Sequence, residues 1–441
     1  MYKIKLIFLI LMAICIFCKT TLYAEGHNHP VLSLSKAVDI AVRNFAAVQQ
    51  AEENLKGADF DRLSIKADLL PAIKANYNFT TLANNPYMVQ NNRQVQVAHS
   101  NQYYWDITVS QPLFAGFALS TNYEISKLNV KIKKKDKIRT CLDVVKGVKK
   151  AYYQLLLARK ILDVTDDTVD YLTAHENDAR RFYQRGLTRR NDLLRTQVTL
   201  ANAVQNREQA KAGLEFAVSD LNRWLAYEIN QQTEIEDIVT VTEKDYRLES
   251  LVEYGLQNRP VLQAMHLMLE VFEKAVKLEK SDYYPKVSLF GSYQQDGDSL
   301  AAQDNDYYND HNALIGVHAT WTLFDASKRK SKIASAKADK RAFKKQIRLA
   351  VDQIKLEIKD AYLNCKVARN NIKTSRASLT SARENSRITC LGYRQQVATS
   401  TEVLDARADL TQAQSNYFQS LYGYLNAVAK LDRAIGKRIE I

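Results

Sequence analysis

Four short stretches of this chain alternate apolar and polar residues, and four long ones repeat apolar residues every three or four positions. After Pro71, the side chains Ile73, Ala75, Tyr77 and Phe79 alternate with Lys74, Asn76, Asn78 and Thr80. Tyr103, Trp105, Ile107 and Val109 alternate with Tyr104, Asp106, Thr108 and Ser110. Further on, Val287, Leu289 and Tyr293 alternate with Lys286, Ser288 and Ser292, and Ile315, Val317, Ala319 and Trp321 with Gly316, His318, Thr320 and Thr322. Period two marks strands with one apolar and one polar face. Each run is close to the roughly 9 to 11 residues that a tilted strand needs to cross a bilayer. The polar faces are small and hydrophilic, as a water-filled lumen requires.

The longer periodicity runs from about Leu119 to Arg185. Ile138, Leu142, Val145, Tyr152, Leu155, Leu162, Val169, Leu172, Ala179 and Phe182 keep spacings of three, four or seven, as in a coiled coil. A return helix carries Leu193, Leu200, Val204, Leu214, Val218, Leu221 and Leu225, and the arrangement recurs from about Ser327 to Ala434. At about 1.5 Å per residue, such a helix is a rod of about 100 Å. No proline interrupts either hairpin: none lies between Pro112 and Pro260, and none follows Pro285.

These stretches form a tandem repeat. Leu34, Asn44 and Pro71 reappear as Leu248, Asn258 and Pro285, displaced by 214 positions; Leu113-Phe114, Ala151-Tyr152 and Leu194 reappear as Leu323-Phe324, Ala361-Tyr362 and Leu404, displaced by 210. Each half reads helix, strand, loop, strand, long helix, turn, long helix. The expected division is 1–24 as a secretory leader, 25–230 as the first repeat, 231–247 as a linking segment and 248–441 as the second repeat. Four strands cannot close a barrel, and an open sheet edge in lipid leaves backbone groups unpaired at several kcal/mol each. Identical copies must finish the wall: two would give eight strands and three would give twelve.

The leader sets the compartment. Lys3 and Lys5 precede an apolar stretch from Leu6 to Cys18, and Leu22-Tyr23-Ala24 offers a small residue at the cut. Cys15 and Cys18 invite lipid attachment, but Ile14 and Phe17 before them are large where that chemistry wants something small. Cys141, Cys365 and Cys390 remain, an odd number in helical segments, which argues for small buried residues over a disulfide framework. The formal charge of +13 falls to about +10 once Lys3, Lys5 and Lys19 leave with the leader. In an exported protein that surplus meets anionic lipid, cell-wall polymer or solvent; no nucleic-acid partner and no cofactor is expected.

The opening Leu34-Ser35-Lys36-Ala37 through Asn44, the Leu69-Leu70-Pro71 end of the first helical stretch, Gln111-Pro112-Leu113-Phe114, and Thr401-Glu402-Val403-Leu404-Asp405-Ala406 resemble the TolC family of outer-membrane efflux proteins. The resemblance spans nearly the whole mature chain, twice. It implies a mostly α fold with a membrane β-barrel part: a homotrimer, four strands per chain to a twelve-stranded barrel in outer-membrane lipid, and long antiparallel coiled-coil helices forming a periplasmic tunnel. It further implies a passive duct, not an enzyme, joined through a periplasmic adaptor (membrane fusion protein) to an inner-membrane pump in a tripartite efflux or type I secretion system. The family's acidic gate pair falls on Glu402 and Asp405, which at i and i+3 share a helix face. Three copies would ring the pore with six carboxylates and favour cations. The linking residues correspond to Asp192 and Tyr393, where a hydrogen bond would hold the gate shut. The expected tip glycine is Gly186, followed by Leu187, in the first hairpin but Gln396, followed by Val397, in the second, and an expected arginine is Ala398. These tips are the implied adaptor-docking ends.

Other signals compete. A periplasmic coiled-coil scaffold or adaptor without a barrel is the second reading; it gives no reason for strands that face outward with Tyr, Trp and Phe. Gly297-Asp298-Ser299-Leu300 resembles a lipase signature without a placed histidine, and His175-Glu176-Asn177-Asp178-Ala179 begins a zinc-protease motif but lacks its second histidine. Asp296, Asp298, Asp304, Asp306 and Asp310 read as a solvated loop or a loose divalent-cation site. Lysine clusters at Lys131 to Lys137 and Lys337 to Lys345 read as solvated helix faces, anionic-polymer contacts or an anion-friendly tunnel wall. If cleavage follows Ala24, the new terminus Glu25-Gly26-His27 offers an amine, two amide nitrogens and an imidazole, a square-planar set for Cu(II) or Ni(II), with His29 as a further ligand. A solvated tail is the alternative.

Overall fold

The computed structural model describes residues 31–238 and 245–437, so the leader, His27 and His29 lie outside the described residues. In the first half, α1 (Leu34–Asn44) and α2 (Ala46–Ala67) lead into β1 (Ala72–Thr81), a short hairpin of β2 (Tyr87–Gln90) and β3 (Arg93–Gln96), then β4 (Asn101–Ala115), α3 (Ala118–Gln184) and α4 (Arg190–Leu225). The second half repeats this order with α5 (Leu248–Asn258), α6 (Pro260–Lys280), a 3-10 turn (Ser281–Tyr283), β5 (Lys286–Gly297), β6 (His311–Thr320), α7 (Lys328–Arg394) and α8 (Ser400–Ile435). Helices α3 and α7 are each 67 residues long, and α4 and α8 each 36. A fixed displacement of 210 positions through both hairpins requires such equality.

Each half carries two helices before its strands where one was expected. Ser33 caps α1 by accepting from the Lys36 amide. The break after α1 is extended Phe45, whose ring stacks on Trp224 at 4.9 Å. The second break is extended Arg259, forced out of the helical region by Pro260. Its buried guanidinium donates to the Ala434 carbonyl at 3.2 Å and pairs with Glu357.

The four long strands form one antiparallel sheet in the order β1-β4-β5-β6, so β4 and β5 join the two halves. Register carries the alternation across all four: Ala75, Ile107, Tyr293 and Ala313 make one row, and Asn76, Asp106, Gln294 and Asn312 the next. The apolar face is open in the single chain, with Ile73, Ile315 and Val317 exposed by 73%, 79% and 62%. The opposite face is a hydrogen-bonded polar surface: Asn76 donates to Asp106 at 3.1 Å, and Thr108 donates to Asp106 at 2.8 Å.

The sheet departs from the predicted strands in four respects. β4 has 15 residues and β5 has 12, and a register shift between Pro112 and Phe114 bends their pairing. Phe290 and Leu314 stand in the polar rows, and a Cβ on Gly316 would come within 2.9 Å of the Phe290 ring, so small and large residues alternate there. β6 ends at Thr320; Trp321 leaves the strand and donates its indole N–H to the Tyr283 carbonyl at 3.1 Å. The loop expected after β1 contains β2 and β3, turned by Asn91 and Asn92, both at positive φ, as a two-residue hairpin turn demands.

The helices make a curved wall. At the hairpin end, α3 packs between α4 and α8, and α8 packs on α7; nearer the sheet, α3 packs between α2 and α6, and α6 packs on α7. Its main core gathers Tyr152, Leu155, Leu156, Leu221, Leu225 and Tyr422, with the Tyr152 hydroxyl within 3.0 Å of the Leu32 carbonyl and 2.7 Å of that of Glu236. Positions related by 210 play matching parts: Ala151 and Ala361 are both buried, as are Leu155 and Cys365. Ile138, expected in the stripe, is exposed in the single chain. The wall ends at α7 on one side and, on the other, at α4 toward the hairpin tips and α2 nearer the sheet, leaving Phe216, Leu349 and Leu356 uncovered. Among the described residues no helix is long and apolar enough to cross a membrane.

Candidate functional site

The two hairpin tips lie at the end of the helical wall remote from the sheet, and their backbones follow one design. Gly186, at φ +73°, ends α3 while the Leu187 amide donates back to the Phe182 carbonyl at 2.9 Å. At the second tip Gln396, at φ +63°, takes the same left-handed place, and the Val397 amide donates to the Gly392 carbonyl at 2.8 Å. Glycine enters that conformation freely, and glutamine does so at about 1–2 kcal/mol. Leu187 and Val397, the latter 82% exposed, project as equivalent apolar points from the two tips.

Asp192 and Glu402 are also equivalent: each is the third residue of a return helix, where a carboxylate faces unpaired amides and the positive end of the helix dipole. Glu402 completes a capping box. It accepts from the Thr399 amide at 2.7 Å, while Thr399 Oγ1 accepts from the Glu402 amide at 3.3 Å. Asp192 accepts from the Thr188 hydroxyl at 3.1 Å. Asp405 is exposed one turn beyond Glu402, with Arg195 at 3.8 Å, and Arg195 also donates to Thr401 at 3.3 Å. The two acids of the expected pair thus share an exposed face, and one of them also fixes the start of its helix.

Within one chain Asp192 and Tyr393 are not joined. Tyr393 is buried among the rings of His175 and Phe182, with centroids at 4.8 and 5.5 Å. Its hydroxyl lies close to Ser400 but makes no well-aligned hydrogen bond, and burial pushes its pKa up. The link between helices at this level runs instead through His175, met in the sequence only as the start of an incomplete zinc motif, and Ser400. His175 Nε2 and Ser400 Oγ are 3.0 Å apart, Ser400 Oγ is 3.3 Å from Thr196 Oγ1, and Thr196 donates to the Asp192 carbonyl at 2.9 Å. Burial lowers the His175 pKa, so the ring is held neutral. Beside it, buried Glu176 accepts from Gln197 at 2.9 Å and Arg180 at 2.7 Å, and these bonds lower its pKa. The usable signal was the position of His175 three residues after Leu172, on the stripe of α3 that faces its neighbours.

The cysteines and two of the clustered lysines take structural places. Cys141, Cys365 and Cys390 are free, and burial raises the Cys365 thiol to about 11, which keeps it unreactive. Two members of the lysine clusters are paired on the wall, Lys137 with Glu52 and Lys340 with Glu273.

The sheet has one apolar and one polar face, runs on into a long helical wall and is open at both edges. A sequence profile of the outer membrane efflux protein family matches residues 36–226 and 251–437, one match per repeat, and the chain belongs to that family. It resides in the outer membrane and extends into the periplasm, and as a channel-family protein it is not an enzyme. No curated protein sequence matches it. Among solved structures it is similar to the Campylobacter jejuni CmeC outer membrane channel, with a TM-score of 0.79 and 18% identity over 91% of this chain and 85% of that one. The outer membrane protein VceC of Vibrio cholerae gives 0.76 and 14% over 91% and 96%. The open state of the Neisseria gonorrhoeae MtrE outer membrane channel gives 0.74 and 15% over 91% and 88%. At such identities the likeness establishes the fold.

Proposed function

We propose that three copies of this chain close into a passive duct that serves as the outer-membrane channel of a tripartite efflux or type I secretion system. One observation carries the reading: the sheet ends at unpaired β1 and β6 on the same two sides where the helical wall ends, at α2 and α4 beside β1 and at α7 beside β6. A neighbouring copy placed to pair β6 with β1 also covers the exposed apolar residues of α7 and α4. Two copies would make eight strands, a barrel whose interior side chains fill; three make twelve and leave a lumen. The exposed band containing Ile73, Ile315 and Val317 favours a duct over a soluble scaffold, since it would otherwise face water.

In this reading Glu402 and Asp405 from each copy line the narrow periplasmic end and make it cation-preferring. Asp192 and Tyr393 belong to the packing that holds the tips together. The tips, with Gly186, Leu187, Gln396 and Val397, receive a periplasmic adaptor that couples the duct to an inner-membrane pump. Detergent-extracted protein should sediment as a trimer and, reconstituted into planar bilayers, give cation-selective conductance. Monomeric material without conductance would overturn the proposal.

A further inference from the structure

At the end of the sheet opposite the helical wall, loops from the two halves bring three metal-ligating groups together. His99 lies between β3 and β4, in the first repeat; Asp298 and Asp306 lie between β5 and β6, in the second. His99 Nε2 is 3.2 Å from Asp298 Oδ2 and 3.8 Å from Asp306 Oδ2, and the three ligand atoms lie within 4.8 Å of one another. Ligands held at roughly 2.0–2.2 Å from a tetrahedral zinc ion stand about 3.3–3.6 Å apart, so this spacing fits a common metal ion.

The way the atoms meet separates this cluster from ordinary solvated acids. Asp298 Oδ2 is closed off from solvent and accepts no hydrogen bond, and the approach of His99 Nε2 at 3.2 Å is not aligned as one. His99 Nε2 stands at ion-pair distance from both carboxylates, so the positive charge that completes the closed-off Asp298 oxygen is either a protonated His99 ring or a bound cation. The surroundings hold the ligands in place. Tyr307 packs edge-on against the His99 ring at 5.4 Å, and the Gln96 amide nitrogen sits 3.4 Å from Nδ1. The same amide nitrogen donates to the Ala98 carbonyl at 3.1 Å, which fixes it beside the ring.

The second loop is built rather than loose. The Asp298 amide donates to the Gln303 carbonyl at 3.1 Å, and the Gln303 amide donates to Ser299 Oγ, also at 3.1 Å. Tyr77 and Trp105, on the apolar face of the sheet, donate to the Leu300 and Ala301 carbonyls at 2.9 and 3.2 Å. Gly297 precedes it because a Cβ there would come within 2.3 Å of the Gln303 carbonyl.

We infer that His99, Asp298 and Asp306 form a binding site for a first-row divalent transition-metal ion of the zinc class, which clasps the outer loops of the two repeats together. The imidazole selects against calcium and magnesium, which prefer all-oxygen sites, and three protein ligands leave a position open for water. The inference stands apart from the periplasmic gate and does not depend on it.

The test is Zn²⁺ titration calorimetry on metal-stripped full-length protein in detergent. It is run on wild type, on His27→Ala/His29→Ala to silence the amino terminus, and on His99→Ala and Asp298→Asn in that background. One site per chain is expected to persist in the double variant and to weaken at least about tenfold with either further change, since loss of even an outer-shell partner costs about 10–100-fold. A Co²⁺ absorption band lost in Asp306→Asn would tie the third ligand to the same ion. Zn²⁺ affinity unchanged by His99→Ala, or Ca²⁺ displacing zinc at equal concentration, would overturn the assignment and leave only diffuse attraction of cations to an acidic loop.

Discussion

Glu402 carries two duties that one substitution separates. Its carboxylate closes the capping box at the start of α8 through the Thr399 amide at 2.7 Å, and in the proposed trimer it contributes half of the six carboxylates at the periplasmic constriction. Glu402→Gln keeps a side chain that fills the same place in a capping box and removes the charge. Its stability cost is limited to the charge–dipole contribution, about 0.3–1 kcal/mol. Glu402→Ala also removes the bond to the Thr399 amide, a further loss of about 0.5–1.5 kcal/mol. The potential at the constriction scales with the charge in the ring, and the cation-to-anion permeability ratio is exponential in that potential. Halving the charge should therefore move the ratio toward the square root of its wild-type value. Reversal potentials across planar bilayers under a salt gradient read this ratio directly, and hydrogen exchange over residues 397–404 reads the cap. The expected pattern is an equal fall in selectivity for both variants, with loosening of the tip confined to Glu402→Ala. An unchanged ratio in Glu402→Gln would refute the gate assignment and leave Glu402 as a cap alone.

Three other perturbations follow from single contacts. Gln396→Gly removes a left-handed glutamine and should stabilise the second tip by about 1 kcal/mol, seen as slower amide exchange around Tyr393 to Thr399; faster exchange would show that the tip does not bear that strain. Because burial lowers the folded pKa of His175 below its ordinary value of 6.5, its neutral form favours the packed tip above that pH. Stability should then decline as pH falls below 6.5 and level off once pH passes below the folded pKa; this slope should vanish in His175→Gln, and a slope that persists would assign it to other groups. Gly147→Ala would drive a Cβ to 2.3 Å from the Trp224 ring, which is already stacked on Phe45, and should cost about 1–3 kcal/mol in thermal unfolding of the main helical core; an unshifted melt would mean Trp224 moves freely.

The repeat explains why so much of the architecture was legible. A displacement of 210 carries Ala151 onto Ala361, Asp192 onto Glu402 and Gly186 onto Gln396, and in each case the structure gives the paired residues the same backbone place or burial. Strand faces were readable because pleating forces alternate side chains apart, and the rods because no proline interrupts them. The metal cluster was half visible: the loop acids stood out as a group, but His99 is almost 200 positions away and joins them only through the pairing of Tyr103 with Gly297. The Thr399 to Glu402 capping box follows from spacing alone, a threonine three residues before a glutamate at a helix start.

Local rules therefore determined the element types and their order in two copies, since each depends on periodicity and proline placement. Tertiary structure decided what periodicity does not encode. It broke the entry helices at Phe45 and Arg259, sent Phe290 to the water-facing side over Gly316, and joined the tips through His175 and Ser400 while leaving Asp192 and Tyr393 apart. Those outcomes depend on distances between residues far apart in the chain, and such distances exist only once the helices and strands have packed.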